Sequence, residues 1–276
     1  MKGCTESILA IYSIRRTGLV MGMQLRPTER FTDRVDDYRQ YRPRYPATIV
    51  DLLARECGLS RETTIADIAA GTGLLAEIFL AHGNPVIAVE PNARMREACA
   101  ALEVLYPRLR CAEGTAEVTN LLEHTADMVT VGQAMHWFDL GPTRTEFMRI
   151  LRPGGWCVVV YNHRHMDGDE FHAGYERILK EFGPDYQMIE SKHLHEEKLV
   201  DFFSPAQMYQ AILPNAQKLN LDGLLGRILS SSYMPQPGQA RHSEMLQESE
   251  ALFARCQQND HVRLQYDCAV SYAQLD

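Results

Sequence analysis

Residues 65–79, IADIAAGTGLLAEIF, join a short apolar run to a glycine-rich turn and then to a segment with helical spacing. A strand that leads through a glycine loop into a helix is the arrangement with which α/β proteins bind nucleotides. Gly71, Gly73 and Ala76 fit the G-x-G-x-x-A spacing of dinucleotide sites. Asp67 stands just before the loop, however, and a carboxylate is an unfavourable neighbour for a phosphate group.

The alternation of strand and helix continues through residues 64–162. Short, continuously apolar runs predict strands at 63–69, 85–90, 109–114, 127–133 and 156–162. Helical spacing predicts helices at 46–57, 73–83, 92–102 and 143–151, and LRPGG predicts a sharp turn at 151–155. Such strands are typical of a parallel sheet covered on both faces, with its ligand at the carboxyl ends of the strands.

After Asn162 the pattern changes to longer helices. The spacing of apolar residues predicts helices at 169–183, 204–213, 222–235 and 242–260, the second with Ser204 as its N-cap. A closing strand is predicted at 261–272. These segments indicate helical insertions between the late strands, of the kind that form a substrate-facing cap.

The composition of the 276-residue chain is that of an ordinary globular protein, with 45% hydrophobic and 23% charged residues. A formal net charge of -8 and the lack of a basic run argue against nucleic acid as a partner. No apolar run approaches the ~18 residues of a membrane-spanning helix, so no membrane partner is predicted. None of the seven cysteines forms a C-x-x-C pair, which favours reduced thiols in a cytoplasmic protein.

The first 22 residues are interpreted as a tail of little structural importance. Their apolar run, ILAIYSI, is short for a signal sequence, and two arginines follow it in place of a small-residue cleavage site. We therefore expect a disordered tail at 1–22 and a single domain at 23–276, with a cofactor-binding core at 31–162 and cap helices with closing strands at 163–276.

Three interpretations of the glycine loop are open. The loop is a tight turn without a ligand, or it binds a dinucleotide, with Glu90, 19 residues after Gly71, on a ribose 2′-hydroxyl. In the third interpretation it binds a nucleoside with a cationic tail and no phosphate, such as S-adenosylmethionine. Asp67 favours the third, because pyrophosphate would bring about two negative charges to its carboxylate, at a cost of about 1 kcal/mol or more. Glu90 would then accept hydrogen bonds from both ribose hydroxyls.

Five motifs, in order along residues 31–162, resemble the class I S-adenosylmethionine-dependent methyltransferases. They are DIAAGTG at 67–73, VEPN at 89–92, GTAE at 114–117, HWFD at 136–139 and LRPGG at 151–155. The branch that the chain resembles most is methyltransferase type 11, with trans-aconitate methyltransferase and the ubiquinone C-methyltransferases. The segment RFTDRVDDYRQYRPRYP also resembles the opening segment of that branch. With the strand pattern, this resemblance implies a doubly wound, mostly parallel, seven-stranded Rossmann-like α/β sheet with helices on both faces and a helical cap between the late strands.

The resemblance also implies which residues hold the cofactor. The methionine part would lie on Asp67, Ala69, Gly71 and Gly73 and above Gln133 and Ala134, the ribose on Glu90, and the adenine against Pro91, Asn92, Ala116 and Glu117. Tyr38 and Arg42 would close over the cofactor, with Arg42 paired to its carboxylate. From the residues alone, Arg42 could instead be a surface residue and Glu117 a helix N-terminal acid.

Methyl transfer from a sulfonium needs alignment more than bond polarisation, with the nucleophile about 3 Å from the methyl group and water excluded. A carboxylate acceptor needs no base, whereas a phenol, enol or amine can need one. His136 is the candidate catalytic base, with Tyr161, His163 and His165 as alternatives. His136 and Trp137 could equally be packing residues at the end of a strand.

No metal site is predicted, and methyl transfer requires none. The histidines and acids of NHRHMDGDEF, at 162–171, and of HLHEE, at 193–197, have metal-ligand side chains without a spacing that defines a geometry.

Substrate contacts are predicted for Trp137, Tyr161, Arg227 and Tyr233. The last two fall in LLGRILSSSYMPQPG, where they could bind a polar or anionic acceptor; the alternative is a capped helix with serines at its end. We predict a cytoplasmic enzyme that methylates a small molecule on an oxygen, of a carboxylate or a hydroxyl, and leaves S-adenosylhomocysteine. Carbon is the alternative acceptor atom, and an NAD-dependent oxidoreductase or a non-catalytic cofactor-binding protein are the further alternatives.

Overall fold

The structure is a computed structural model that describes residues 35–186 and 196–275. The tail predicted at 1–22, the start of the segment RFTDRVDDYRQYRPRYP and both histidines of HLHEE lie outside these ranges. Along these ranges, no helix has both the length and the apolar surface that crossing a bilayer requires.

Seven strands form the central sheet: β1 (Ile65–Ile68), β2 (Val86–Val89), β3 (Leu109–Ala112), β4 (Ala126–Gly132), β5 (Leu151–Arg164), β6 (Tyr209–Leu219) and β7 (Val262–Gln274). Their order across the sheet is β3-β2-β1-β4-β5-β7-β6. The first five strands run parallel, and β7 pairs antiparallel with both β5 and β6. The predicted doubly wound, mostly parallel seven-stranded sheet is confirmed.

The α-helices of the described ranges are α1 (Val35–Tyr41), α2 (Thr48–Cys57), α3 (Ala76–His82), α4 (Ala93–Ala100), α5 (Leu140–Ile150), α6 (Glu170–Phe182), α7 (Glu196–Phe203), α8 (Leu221–Leu229) and α9 (His242–Cys256). Two short 3-10 helices lie at Ala101–Val104 and Met135–Trp137. Sequence signals mark several ends. Gly58 ends α2 with a left-handed φ of 67°, and the Asn92 side chain caps α4 by accepting the N–H of Met95.

Each face of the sheet has its own hydrophobic core, because successive side chains of a strand point to opposite faces. On one face, Ile65 belongs to a fully buried cluster with Leu53 of α2 and Phe79 of α3. On the other face, Ile68 shares a cluster with Phe147 of α5. Helices therefore cover both faces, as the continuously apolar strands predict.

The cap consists of α6 between β5 and β6, and of α8 and α9 between β6 and β7, whereas α7 packs with α5 on the second face of the sheet. The cap has a third core, in which Tyr175 of α6, Leu224 of α8 and Leu252 of α9 are fully buried. Gly226 of α8 lies against the ring of Tyr41 in α1, where a Cβ would be 2.4 Å from two ring atoms. The helical cap predicted between the late strands is confirmed, and it also packs on the N-terminal helix.

The helix predicted at 204–213 is wrong. Ser204 directly follows α7, and the chain from Tyr209 onward forms β6, which pairs with β7 at the edge of the sheet. The partner strand begins more than 40 residues later, and this long-range pairing prevails over the local helical spacing. The solvent exposure of side chains also alternates along much of β6, and Ile212 is 54% exposed. This two-residue period is typical of a strand, and the prediction missed it.

Several predicted boundaries also differ from the structure by a few residues, such as that of the helix predicted at 242–260, which ends at Cys256, and two differences are larger. The helix predicted at 222–235 ends at Leu229, because the hydroxyl of Ser230 donates to the Arg227 carbonyl and competes with further helix bonds. The turn predicted at 151–155 is a bulge inside β5: Leu151 pairs with Ala126, and Trp156 is the next to pair, with Met128.

The glycine loop between β1 and α3 contains two glycines in left-handed conformations, with φ of 58° at Gly71 and 85° at Gly73. Their surroundings differ. A Cβ on Gly71 would meet no atom within 4 Å, whereas a Cβ on Gly73 would lie 2.9 Å from both Cys99 Sγ and Leu102 Cδ1. Gly73 therefore allows the loop to pack on α4, and Gly71 leaves open space beside the backbone.

Alanine substitutions should separate these two roles. Gly71→Ala should lower the free energy of unfolding by about 1–2 kcal/mol through backbone strain alone. Gly73→Ala should lower it by about 1–3 kcal/mol more, because the new methyl group also overpacks against Cys99 and Leu102. Urea unfolding of the wild type and both variants measures these differences, and equal losses in the two variants would contradict the assignment.

Candidate functional site

A cavity of about 360 Å³ opens at the carboxyl ends of β1, β2, β4 and β5. This is the edge of a doubly wound sheet where ligands bind. One part of the wall, the core half, includes Ala69, Gly71, Glu90, Pro91, Asn92, Ala116, Glu117, Gln133 and Ala134. A second part of the wall, the cap half, includes Tyr38, Arg42, Asn162, Arg164, Tyr186, Arg227, Tyr233 and Tyr266, and His136 and Trp137 also line the cavity.

The cavity thus brings together most of the residues predicted from the sequence. Four of the predicted residues are not part of its wall: Asp67, Gly73, Tyr161 and His165, the last of which was an alternative base. Gly73 faces α4, whereas Asp67 and Tyr161 support residues that do line the cavity.

The backbone of the glycine loop is held by the neighbouring strand. Ala69 is left-handed, with φ of 53°, a conformation that stores strain in a residue other than glycine. The N–H of Ala70 donates to the Val89 carbonyl at 3.1 Å, and the N–H of Gly71 donates to Glu90 Oε2 at 2.9 Å. The loop is therefore fixed before any ligand binds, with the open side of Gly71 towards the cavity.

Glu90 is oriented by two backbone hydrogen bonds. Its Oε2 accepts from Gly71, and its Oε1 accepts from the N–H of Asn92 at 2.8 Å. The side chain is buried, which raises the pKa of Glu90, and the two amides partly offset this. Each carboxylate oxygen keeps a further lone pair, so Glu90 can accept two hydroxyl donors, as a ribose offers.

Asp67 lies beneath the loop and is 1% exposed. Its Oδ1 accepts a hydrogen bond from the Thr130 hydroxyl at 2.8 Å, and its Oδ2 has no hydrogen-bond partner among the described residues. Burial raises the pKa of Asp67 to about 7, and the bond from Thr130 offsets this only in part. A cation near the loop would stabilise the charged form, whereas a phosphate would destabilise it further.

Gln133 connects the ends of β4 and β5. Its backbone is left-handed, with φ of 56°, directly after Gly132 at the end of β4. Its Oε1 accepts the N–H of Asn162 at 2.7 Å, and its own N–H donates to the Val160 carbonyl at 3.0 Å. Gln133 therefore shapes the cavity floor through its backbone, while its side chain keeps the two strand ends together.

The loop after β3 also contributes to the wall. Ala116 is 3% exposed, and Glu117 Oε1 accepts the N–H of Asp139 at 3.1 Å. No helix begins at Glu117, so the alternative of a helix N-terminal acid does not apply. Glu117 instead holds this loop against the start of α5.

Two arginines in the cap half have no ion-pair partner in the described part of the chain. Arg42 lies over the Tyr38 ring at 5.1 Å, donates from Nη2 to the Ser230 carbonyl at 3.0 Å, and has a buried Nε without a partner. Arg227 is 7% exposed and donates to Ser231 Oγ at 3.1 Å. A surface location for Arg42, one of the alternatives above, is therefore excluded.

The charges of these two arginines act on one another. Burial lowers the pKa of Arg42, and the positive charge of Arg227 lowers it further. Arg164, on the same side of the cavity, differs, because it forms an ion pair with Glu176 and a hydrogen bond with the Tyr186 hydroxyl. The cap half therefore has two positive charges that no carboxylate of the described ranges neutralises, which favours an anionic ligand.

His136 lies in the 3-10 helix after β4 and lines the cavity. Its Nδ1 is 3.1 Å from the hydroxyl of Tyr161, and its backbone N–H donates to the same hydroxyl at 3.2 Å. Tyr161 is buried in β5, and it contacts two residues that line the cavity, His136 and His163. Because Tyr161 is not part of the cavity wall, its position does not support the direct substrate contact predicted for it.

Within residues 35–186 and 196–275, no three His, Cys, Asp or Glu side chains are grouped so that they could hold a metal ion. His165 instead faces Asp267 at 3.1 Å, and His172 faces Asp169 at 2.8 Å.

Four residues of the cap half were not identified from the sequence: Asn162, Arg164, Tyr186 and Tyr266. They come from β5, the segment after α6 and β7, and they meet only in the folded chain. Asn162 did carry a signal, since it ends the predicted strand at 156–162 and polar residues at such ends face the ligand edge. Tyr186 and Tyr266 had no comparable local signal.

Comparisons with known proteins identify the family of the chain. A family model described as "Methyltransferase domain" matches residues 66–159, from β1 into β5. An uncharacterized methyltransferase of Mycobacterium tuberculosis is 32% identical over 213 residues, which are 76% of this chain and 80% of the relative. An uncharacterized methyltransferase of Schizosaccharomyces pombe is 25% identical over 236 residues, 84% of this chain and 91% of the relative.

Solved structures share the fold. A protein from Anaeromyxobacter dehalogenans, provisionally assigned as a type II methyltransferase, matches with a TM-score of 0.62 at 21% identity, over 85% of this chain and 97% of that chain. A SAM-dependent methyltransferase from Aquifex aeolicus matches with a TM-score of 0.51 at 10% identity, over 89% of this chain and 98% of that chain.

Asp67→Asn should stabilise the ligand-free protein more at pH 8 than at pH 5. Because the pKa of Asp67 is raised from 3.8 to about 7, the folded state holds this proton more tightly than the unfolded chain does. The wild type therefore loses stability as the pH rises from about 4 through 7, and the amide variant does not. Thermal unfolding at the two pH values measures the difference, with the exposed Asp51→Asn as control. The same difference at both pH values would contradict the buried carboxylate as its source.

Proposed function

The chain belongs to the class I methyltransferases, whose methyl donor is S-adenosylmethionine, and we propose that it methylates a small anionic molecule on a carboxylate oxygen. The observation that carries this proposal is the continuity of one cavity. It joins the glycine loop and Glu90 to a wall with the buried Arg227 and the half-buried Arg42, neither of which has an ion-pair partner among the described residues.

The core half has the features that this cofactor requires. The backbone at Gly71 is open to a close-packed ligand, and Glu90 presents fixed acceptor oxygens for ribose hydroxyls. Beneath them, the partnerless Oδ2 of Asp67 favours a positively charged ligand. We assign the methionine part to the loop at Ala69 and Gly71, and the nucleoside to Glu90, Asn92 and Ala116.

Catalysis by this site is mainly positioning. S-adenosylmethionine supplies a methyl group on a sulfonium, which is already activated towards a nucleophile. The protein's contribution is to hold the acceptor oxygen in line and to exclude water. Tyr233, Arg227 and Trp137 line the same cavity as the glycine loop. None of these residues has to form a covalent bond.

The acceptor is proposed to be a carboxylate because the cap half offers donors. Arg227 and Arg42 present planar guanidinium groups, which match a carboxylate in charge and geometry. In this assignment Arg42 pairs with the carboxylate of the cofactor, at the α1 side, and Arg227 pairs with the acceptor. A neutral hydroxyl would leave the charge of Arg227 without an ion-pair partner from the described chain, which is unfavourable in a buried site.

A cytoplasmic location belongs to the same proposal. The described cysteines, Cys57, Cys99, Cys111, Cys157, Cys256 and Cys268, form no disulfide bonds. Reduced thiols are typical of that compartment.

The class of the acceptor is tested with S-adenosylmethionine that carries a radiolabelled methyl group. The enzyme is incubated with a panel of small carboxylates, phenols and enols, and each labelled product is treated with mild alkali. A methyl ester should release its label as volatile methanol, because ester bonds hydrolyse in alkali. A product that retains its label is a methyl ether or a C-methyl compound and would contradict the carboxylate assignment. Calorimetry with NAD is the control, and NAD should not bind.

Arg227→Gln should lower kcat/KM for a carboxylate acceptor by about 100-fold, since truncating one partner of a buried charge pair costs about 2–5 kcal/mol. The dissociation constant of S-adenosylmethionine should not change. Arg227→Lys should be intermediate, because it keeps the charge and loses the bidentate geometry. The matched control is Arg241→Gln, because Arg241 is an exposed arginine of the cap that is paired with Glu181 and Glu244. Unchanged acceptor kinetics in Arg227→Gln would exclude a role in acceptor binding.

A further inference from the structure

The side-chain amide of Asn162 is oriented by a hydrogen bond from Asn215. The backbone N–H of Ala216 donates to Asn215 Oδ1 at 2.9 Å, so the other end of the Asn215 amide is its Nδ2. This Nδ2 donates to the carbonyl of Arg44 at 2.7 Å and to Asn162 Oδ1 at 2.9 Å. Because both N–H groups of Asn215 act as donors, it is the oxygen of Asn162 that faces them. The Nδ2 of Asn162 consequently lies at the end of the amide that Asn215 does not hold.

This Nδ2 is a buried donor that lacks an acceptor. Asn162 is 7% exposed and lines the cavity, and its Nδ2 has no hydrogen-bond partner within residues 35–186 and 196–275. Turning the amide over would not help, because the donors of Asn215 would then face another donor. A buried N–H without an acceptor is unfavourable and uncommon in folded proteins. At the wall of a cavity, an acceptor atom on a ligand accounts for it.

Asn162 lies where an apolar face of β5 becomes polar. Residues two apart in a strand point to the same face. Val158 and Val160 belong to the core beneath α2 and α3, and Asn162 is the next residue on their face. Its backbone N–H donates to Gln133 Oε1 at 2.7 Å. The amide therefore lies at the end of the packed core and beside the loop that follows β4.

The order of the strands assigns Asn162 to the acceptor rather than to the cofactor. Glu90 follows β2, Gly71 follows β1 and Asn162 lies in β5, and these strands are arranged in the order β2-β1-β4-β5. The proposed function places the nucleoside at Glu90 and the methionine part at Gly71. Neighbouring strands are about 4.8 Å apart, so β5 is roughly 10 Å from β1. The ligand next to Asn162 is then the molecule that lies beyond the methionine part.

We propose that Asn162 is a specificity-determining residue whose Nδ2–H donates to a carboxylate oxygen of the methyl acceptor. This inference rests on the proposed function, because it takes the acceptor to be an anion bound in the cap half. Arg227 supplies the charge that binds the anion, and Asn162 supplies a neutral donor of fixed direction. An analogue without an oxygen at this point would leave the donor buried and unpaired, so the site should reject it.

A single N–H donor is compatible with methyl transfer to that carboxylate. Each carboxylate oxygen has two lone pairs, so an oxygen that accepts from Asn162 keeps one for the methyl carbon. The oxygen–carbon bond forms as the carbon–sulfur bond breaks, and the electron pair of the broken bond stays on sulfur. The carboxylate has no proton to lose, so the base predicted at His136 is not required in this assignment.

Two substitutions of similar shape distinguish a donor from a structural contact. Asn162→Asp keeps the oxygen that accepts from Asn215 and replaces the donor with a negatively charged oxygen, whereas Asn162→Leu loses both ends of the amide. A donor role predicts that KM for a carboxylate acceptor rises about 100-fold in Asn162→Asp, through repulsion, and about tenfold in Asn162→Leu. A structural role predicts the reverse order, because only Asn162→Leu loses the bond from Asn215. The reverse order, or equal effects, would overturn the proposal.

The control for the added charge is Asn259→Asp, at an exposed turn, and its KM should equal that of the wild type. Thermal unfolding verifies that both Asn162 variants are folded. Calorimetry with S-adenosylmethionine should show no loss of affinity in either variant. Weaker cofactor binding together with an unchanged acceptor KM would place the amide at the cofactor and overturn the assignment.

The contact can also be observed without turnover, with acetate as the probe. Nuclear magnetic resonance spectra are recorded on 15N-labelled protein with bound S-adenosylhomocysteine, and sodium chloride at equal ionic strength is the control. Asn162→Asp identifies the side-chain NH2 signals of Asn162, and Arg227→Gln identifies the Nε–H signal of Arg227. Acetate should shift the signals of both residues. A shift at Arg227 alone would overturn the role of Asn162 and leave the proposed function standing, whereas no shift at either residue would contradict both.

Discussion

Strand β1 is paired on both edges with parallel strands, and this constraint sets the position of everything else in the site. Ile68 at its end pairs with Val89 of β2 on one side and with Val131 of β4 on the other. The chain leaves β1 through α3 on one face of the sheet and leaves β4 through α5 on the opposite face, so the loops after β1 and β4 diverge. The space between them is the cavity, and the backbone there must bend away from the sheet. Ala69 and Gln133, both left-handed, are the residues at which it does so.

The site combines rigid backbone with charges that the protein leaves unneutralised in its described part. Glu90 and Gln133 use their side chains to hold neighbouring backbone amides, which fixes the walls before a ligand arrives. Asp67 and Arg227 are buried with little to balance their charge. Each is unfavourable for folding and becomes favourable when a ligand group of opposite sign binds. The burial of these charges lowers the stability of the free protein, and it contributes to the affinity and orientation of the ligand in the complex.

The sequence predicted the core half of the site well and the cap half poorly, for a physical reason. Gly71 and Glu90 lie 19 residues apart within one strand–helix–strand unit, so their relation follows from local patterns. The cap half depends on contacts such as that of Arg42 with Ser230, which are 188 residues apart in the chain. β6 was mistaken for a helix for the same reason, because its identity depends on β7. Arg227 and Tyr233 were found as polar residues in an apolar segment, although nothing local indicated that Arg42 would meet them.

Gly73 belongs to the G-x-G-x-x-A motif, but packing requires it. A side chain at this position would collide with Cys99 and Leu102, so the residue is required by the contact between loop and helix whatever the cavity holds. A descendant that lost its methyl donor but kept its fold would still retain this glycine. The second glycine of the motif therefore reflects the packing of the fold and does not by itself identify a ligand. Evidence for the present chemistry has to be sought at positions that face the cavity and pack against no other part of the protein, of which Gly71 is the nearest.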